Sequence, residues 1–266
     1  MAVMHSPRIE TATSVFTRDQ ILTAAAQVDA LWVESCVRRF ESVVTDRDFP
    51  CIYAMGANPL FAFVETVRDP RDRLAIHRTI TEYLRGLSSI ADLGLRARTM
   101  LVLFERPREK DTLIADYERD SWELLQYLLD SDDDAWPEYI PLDPDTPRWE
   151  FCFANTPLFL NICTPAHHAR RSRNLGPALT FVIQPREGID FCAPPNNEGD
   201  AARSLIRARI NKYDSVGACQ DFAVYGSPAN REWKYYFLPD DSSQTFTACP
   251  IDPRKRKTDQ QSEPGE

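Results

Sequence analysis

The sequence predicts a single mixed α/β domain in which helices layer a β-sheet. Apolar residues at helical spacing alternate along the chain with short β-prone apolar runs. The composition, 43% hydrophobic and 27% charged over 266 residues, supports one core of generous size and excludes a fibrous or disordered chain. The domain is expected over residues 17–251. A flexible N-terminus (1–16) precedes it, and a tail (252–266) without apolar residues is expected to be disordered.

Between Arg18 and Val44, the positions Ile21, Leu22, Val28, Leu31, Trp32, Phe40 and Val44 fall at helical spacing and predict one or two amphipathic helices over the sheet. Phe49–Met55 and Leu60–Thr66 are β-prone, and Gly56-Ala-Asn-Pro59 between them reads as a hairpin turn. Asp69-Pro70 opens a helix to about Leu87, followed by a strand at Met100–Phe104 and a helix from about Asp111 to Leu129. Asp130–Pro147 is acidic and carries Pro137, Pro141, Pro144 and Pro147, which suits an irregular surface connection that could serve as a lid. Strands then follow at Trp149–Phe153, Leu158–Cys163 and Leu179–Gln184. A helix from about Gly199 to Asn211 and a last strand at Trp233–Leu238 complete the order. No internal repeat is visible.

Several function classes are excluded or made remote. A net charge of −9 opposes wholesale binding of nucleic acid, whose phosphates need a cationic surface. Apolar runs such as Leu101–Phe104 and Leu158–Ile162 fall far short of the roughly 20 residues of a membrane span, so no membrane partner is expected. Met1–Thr17 lacks the apolar stretch of a signal peptide, and a cytoplasmic location is expected. Seven cysteines stand singly without a CxxC pair, which reads as reduced thiols. Neither GxGxxG, GxxxxGK[ST], GxSxG nor HExxH occurs.

The chemistry concentrates between Asn155 and Arg186. The run Leu158–Cys163 leads into Thr164-Pro165, an N-cap residue and a proline suited to a first helical turn, and then into Arg170, Arg171 and Arg173. Free N–H groups with arginines beside them make a site for a carboxylate or phosphate; a solvated basic face is the plainer alternative. Two of the four histidines, His167 and His168, sit there, where an imidazole binds a metal, moves a proton or makes a structural hydrogen bond. Cys51 is a thiolate candidate or simply a small buried residue.

The segments Phe49–Cys51, Thr156–Ile162, Thr164–His167, Arg171–Gly176, Phe181–Arg186 and Arg209–Asp214 together resemble the YqcI/YcgG family, which includes heme-dependent N-oxygenases of natural-product pathways. The resemblance spans most of the chain. It is strongest to members that hydroxylate a guanidino nitrogen of L-arginine, giving N-omega-hydroxy-L-arginine, in antibiotic biosynthesis of the D-cycloserine type. What it implies is a monooxygenase with heme b, using O2 and an external electron-donor reductase. His167, at the family's histidine position, would ligate iron, with Cys51 as the alternative thiolate ligand; Arg170, Arg171 and Arg173 would pair with the propionates, and Phe159 and Phe181 would wall the pocket. Glu150, Asp190 and Asp214 are the carboxylates available to a substrate guanidinium. A non-catalytic heme-binding or heme-sensing protein would use the same residues.

Overall fold

The structure, a computed structural model, describes residues 15–25, 31–105, 112–219, 222–243 and 246–255. The expected flexible N-terminus and disordered tail lie mostly outside these residues. Five strands form one mixed sheet in the order β1 (Leu60–Val64), β2 (Met100–Phe104), β5 (Leu179–Pro185), β4 (Thr156–Cys163), β3 (Cys152–Phe153). β1 and β2 are parallel, and every other pairing is antiparallel.

The apolar runs of β1 and β2 suit strands buried on both faces. Met100, Val102 and Phe104 enter one core, which is covered by α3 (Pro70–Ser88) and α5 (Ile114–Ser131). Leu101 and Leu103 enter a second, beneath α1 (Arg18–Ala25) and α2 (Leu31–Val44). The Asp69 side chain starts α3 by accepting the Arg71 N–H at 2.8 Å, with Pro70 in the first turn.

On β4 the two-residue alternation separates core from site. Leu158, Leu160 and Ile162 join the first core, whereas Phe159 and Asn161 point the other way into a cavity. That cavity is flanked by α6 (Arg186–Cys192) and α7 (Asn197–Tyr213). A Cβ at Gly199 would stand 1.8 Å from the Pro194 carbonyl oxygen, so only glycine lets α7 start against the preceding turn. Among the described residues no helix is long and apolar enough to cross a membrane. All seven cysteines are free.

Three expected strands change. Residues 50–56 are turns, and the hairpin is absent: β1 pairs with β2 and makes an isolated bridge to Phe16. The Phe49 carbonyl is instead taken by the guanidinium of Arg209, at 2.7 Å from Nη2. Trp149–Phe153 shortens to two strand residues. Glu232–Tyr235 is a 3-10 turn rather than a strand, because Arg173 draws the carbonyls of Tyr235 and Tyr236 to its own donors. The order opens with helices as expected, and the short helices Leu93–Arg96 (α4) and α6 are additions.

Candidate functional site

No helix follows Thr164-Pro165; the chain turns irregularly to a 3-10 turn at Arg171–Arg173. The exposed N–H groups foreseen there do hold a carboxylate, and it belongs to the same chain. Asp240 accepts from the backbone N–H of His168, Ala169 and Arg170 at 2.9, 3.0 and 2.8 Å. Burial pushes the Asp240 carboxyl up, but the three N–H bonds outweigh it and hold it below its usual range.

The basic and imidazole groups of this turn are similarly engaged. His167 is 1% exposed, with Nε2 2.8 Å from the Leu238 carbonyl oxygen and Nδ1 2.9 Å from the Thr164 hydroxyl. Burial pushes its pKa down to about 4, so the ring is neutral, with Nε2–H donating and Nδ1 accepting. As placed, neither ring nitrogen is open to a metal. Arg170 spends its donors on the carbonyls of Gly217, Pro239 and Asp241, and Arg173 spends its own on Ile162, Tyr235 and Tyr236. Arg171 is exposed and lies over the Tyr213 ring at 4.4 Å. His168 is exposed. Asp214 caps the turn, accepting from the backbone and hydroxyl of Ser172 at 2.8 and 2.6 Å. The segment is a clasp joining β4, the end of α7 and residues 235–241.

The cavity beside this clasp measures about 1220 Å³, above the roughly 300–1,000 Å³ of common small-molecule pockets. Phe159, Ile189, Ile206 and Ile210 give it apolar surface. Cys51 and Cys192 both lie on its wall, and burial pushes both thiols up. Phe181 is elsewhere, packed against Phe104 in the first core at a centroid distance of 5.6 Å. Among the described residues no group of three His, Cys, Asp or Glu is arranged to hold a metal.

One end of the cavity carries a buried ionic cluster. Arg186 Nε lies 3.0 and 2.8 Å from the two Glu150 oxygens, and Nη2 lies 2.9 Å from Glu232. Its guanidinium stacks 4.0 Å over the Tyr225 ring, and Asp190 stands 3.9 Å from Nη1. Burial raises the pKa of Glu232 and Asp190 and pushes Glu150 up to about 8, against the attraction of Arg186. Desolvation opposes the charge on Arg186, but the carboxylates prevail and raise its pKa. Three carboxyls around one arginine therefore retain a proton near neutral pH or leave surplus negative charge. Of these groups Arg186, Asp190 and Glu232 reach the cavity wall; Glu150 sits behind it, 0% exposed.

The sequence pattern of the YqcI/YcgG family matches residues 40–252. The chain belongs to that family. YqcI/YcgG relatives cover most of its length: the "Putative N(omega)-hydroxy-L-arginine synthase DcsA" of Streptomyces lavendulae is 33% identical over 83% of this chain and 84% of its own. The uncharacterized YcgG of Bacillus subtilis (strain 168) is 36% identical over 79% and 84%. YqcI of the same strain is 34% identical over 77% and 81%. No solved structure matches the chain.

Within this YqcI/YcgG chain, Arg186, Glu232 and Tyr225 escaped sequence reasoning as site residues. Arg186 lay inside the segment Phe181–Arg186 that carries the family resemblance, so its position was marked but its role was not. Glu232 and Tyr225 come from stretches without motif or period.

Proposed function

We propose that this chain hydroxylates a guanidino nitrogen of L-arginine, using heme b held in the cavity. The observation that carries the reading is the cavity itself: one apolar space joins a wall thiol, Cys51, to a carboxylate-rich end at Asp190 and Glu232. The name of the Streptomyces relative gives the substrate class. The residues fit the cofactor, because the volume exceeds that of ordinary ligand pockets, Phe159, Ile206 and Ile210 suit a macrocycle, and the Cys51 sulfur on the wall would be a soft donor to its iron. Of the two ligands considered, Cys51 is preferred to His167, whose nitrogens are both bonded.

Bound heme would supply dioxygen activation, one oxygen atom entering an N–H bond and the other leaving as water with two protons and two electrons from an external reductase. The chain's own residues orient and exclude. Asp190 and Glu232 face the cationic guanidinium of the substrate, while Arg186 fixes Glu232 and cannot itself lose its charge. The isoleucines of α7 keep water from the reacting nitrogen.

The test is the absorption spectrum of heme-supplemented protein, reduced and exposed to carbon monoxide, with and without L-arginine. A Soret band that shifts on adding arginine, with a carbon monoxide position typical of thiolate ligation and lost in Cys51→Ser, is expected. Absence of a Soret band sinks the heme reading. A band indifferent to arginine, with no arginine-dependent oxygen consumption, makes the protein a heme binder only.

A further inference from the structure

Among the described residues seven arginines line the cavity, and their partners separate them. Arg186 is held by Glu150 and Glu232, and Arg170 and Arg173 by backbone carbonyls. Arg96 pairs with Glu187 at 2.7 Å. Arg203 binds Asp200 and the carbonyls of Ala193 and Pro194. Two remain. Arg207 donates from Nη2 to the Phe222 carbonyl at 2.9 Å and makes no other hydrogen bond or ion pair among the described residues. The Arg148 guanidinium makes none there, although its backbone carbonyl accepts the Tyr225 hydroxyl at 2.8 Å. Arg148, exposed at the cavity's edge, and Arg207, half-buried, therefore keep most of their N–H donors for solvent or a ligand.

Their placement is correlated. The wall segment 222–226 separates them, with Arg207 fastened to Phe222 at one end and Arg148 at the other, its Cγ 3.6 Å from where a Cβ on Gly226 would stand. Arg207 also belongs to the inner stripe of α7 with Arg203, Ile206 and Ile210. A helix packed on a protein core buries such a stripe; α7 has one buried residue, Gly199, and turns the stripe to the cavity.

We infer that Arg148 and Arg207 receive the carboxylate groups of the cavity's ligand, and that α7 is docked on that ligand through Arg207, Ile206 and Ile210. The inference rests on the heme reading, which makes the heme propionates the expected carboxylates; the α-carboxylate of an amino-acid substrate has the same chemistry. Arginine forks match carboxylates bidentately, which gives the contact both strength and orientation.

The experiment is a hemin titration of the full chain, followed at the Soret band, for wild type, Arg148→Gln, Arg207→Gln and the double variant. Hemin dimethyl ester, which lacks free carboxylates, runs in parallel. The double variant is expected to bind hemin at least about tenfold more weakly, a loss of about 1.4 kcal/mol. Wild type should lose a similar factor on going from hemin to the diester, and the double variant should not distinguish them. Arg148→Lys and Arg207→Lys, with far-UV melting curves, separate lost charge from lost fold. A second arm compares L-arginine with agmatine, which has no carboxylate, by calorimetry. Unchanged hemin binding with lost preference for L-arginine assigns the two arginines to the substrate carboxylate. Retention of both preferences overturns the inference. If wild type itself binds no hemin, the heme reading fails separately, and the arginine–agmatine arm alone decides the carboxylate site.

Discussion

His167 shows how a residue type that promises chemistry can be a structural hydrogen-bonding group instead. Its ring needs to be neutral to accept from Thr164 while donating to Leu238, and burial lowers its pKa from 6.5 to about 4. The unfolded chain therefore binds more protons between those values, so this contribution to stability is complete above pH 6.5 and is lost as pH falls toward 4. Its size is on the order of 3 kcal/mol. Urea unfolding of wild type and His167→Gln between pH 4 and 7 should show the acid-side slope flattened in the variant. His167→Ala should cost about 2–4 kcal/mol of stability and leave the Soret position of heme-loaded protein where it was; a displaced Soret band would return His167 to the iron. At Arg186 the two glutamates differ by access. Glu232→Gln should weaken L-arginine binding about tenfold, and Glu150→Gln, behind the wall, by much less. Equal losses in calorimetry would remove Glu232 from substrate contact.

At the scale of elements, the sequence was most legible where one period runs long. The helices over Pro70–Ser88, Ile114–Ser131 and Asn197–Tyr213, and the strands Leu60–Val64, Met100–Phe104, Thr156–Cys163 and Leu179–Pro185, follow their apolar patterns and caps. Phe49–Met55 and Trp233–Leu238 are apolar and β-prone yet form no strands, because the carbonyls of Phe49 and of Tyr235 and Tyr236 are claimed by arginines distant in sequence, Arg209 and Arg173. Sequence local to those segments holds no sign of that. The site divides the same way: Cys51, Phe159 and Asp190 were nameable from their segments, whereas the pairing of Glu150 with Glu232 across Arg186 is a product of folding. The turn joining β3 to β4 offers a clean test. Ala154 and Asn155 both adopt left-handed conformations, φ 48° and 55°, suited to a two-residue hairpin loop but strained for alanine. Ala154→Gly relieves about 1–2 kcal/mol of left-handed strain at the cost of about 0.4–1 kcal/mol of extra unfolded-chain freedom, so a net stabilisation of about 0.5–1 kcal/mol is expected in thermal unfolding.

For the molecule as a whole, the sheet has one face backed by α3 and α5, while on the other α1 and α2 cover β1, β2, part of β5 and the Cys163 end of β4. The space over Phe159 and Asn161 is left to α6, α7 and the segment 222–226, and there the cavity lies. Stability is accordingly uneven, with the sheet and the helices on its first face forming the rigid part. Hydrogen exchange should report it: amides of 197–213 should exchange faster than those of α5, and adding hemin at about 100 times its Kd should slow them, with a global gain of about 2.7 kcal/mol. Equal protection of α7 with and without hemin would show that the helix needs no ligand to dock.

A helix tied by polar side chains, Arg203 on the preceding turn, Arg209 on Phe49 and the Asp214 cap on Ser172, while its inner face is left to the cavity, also bears on the protein's lifetime. Proteases cut where backbone opens locally, and α7 offers such an opening whenever its inner face is loosened. Cellular abundance would then track the supply of whatever fills the cavity, so that chains made faster than their ligand are cleared first.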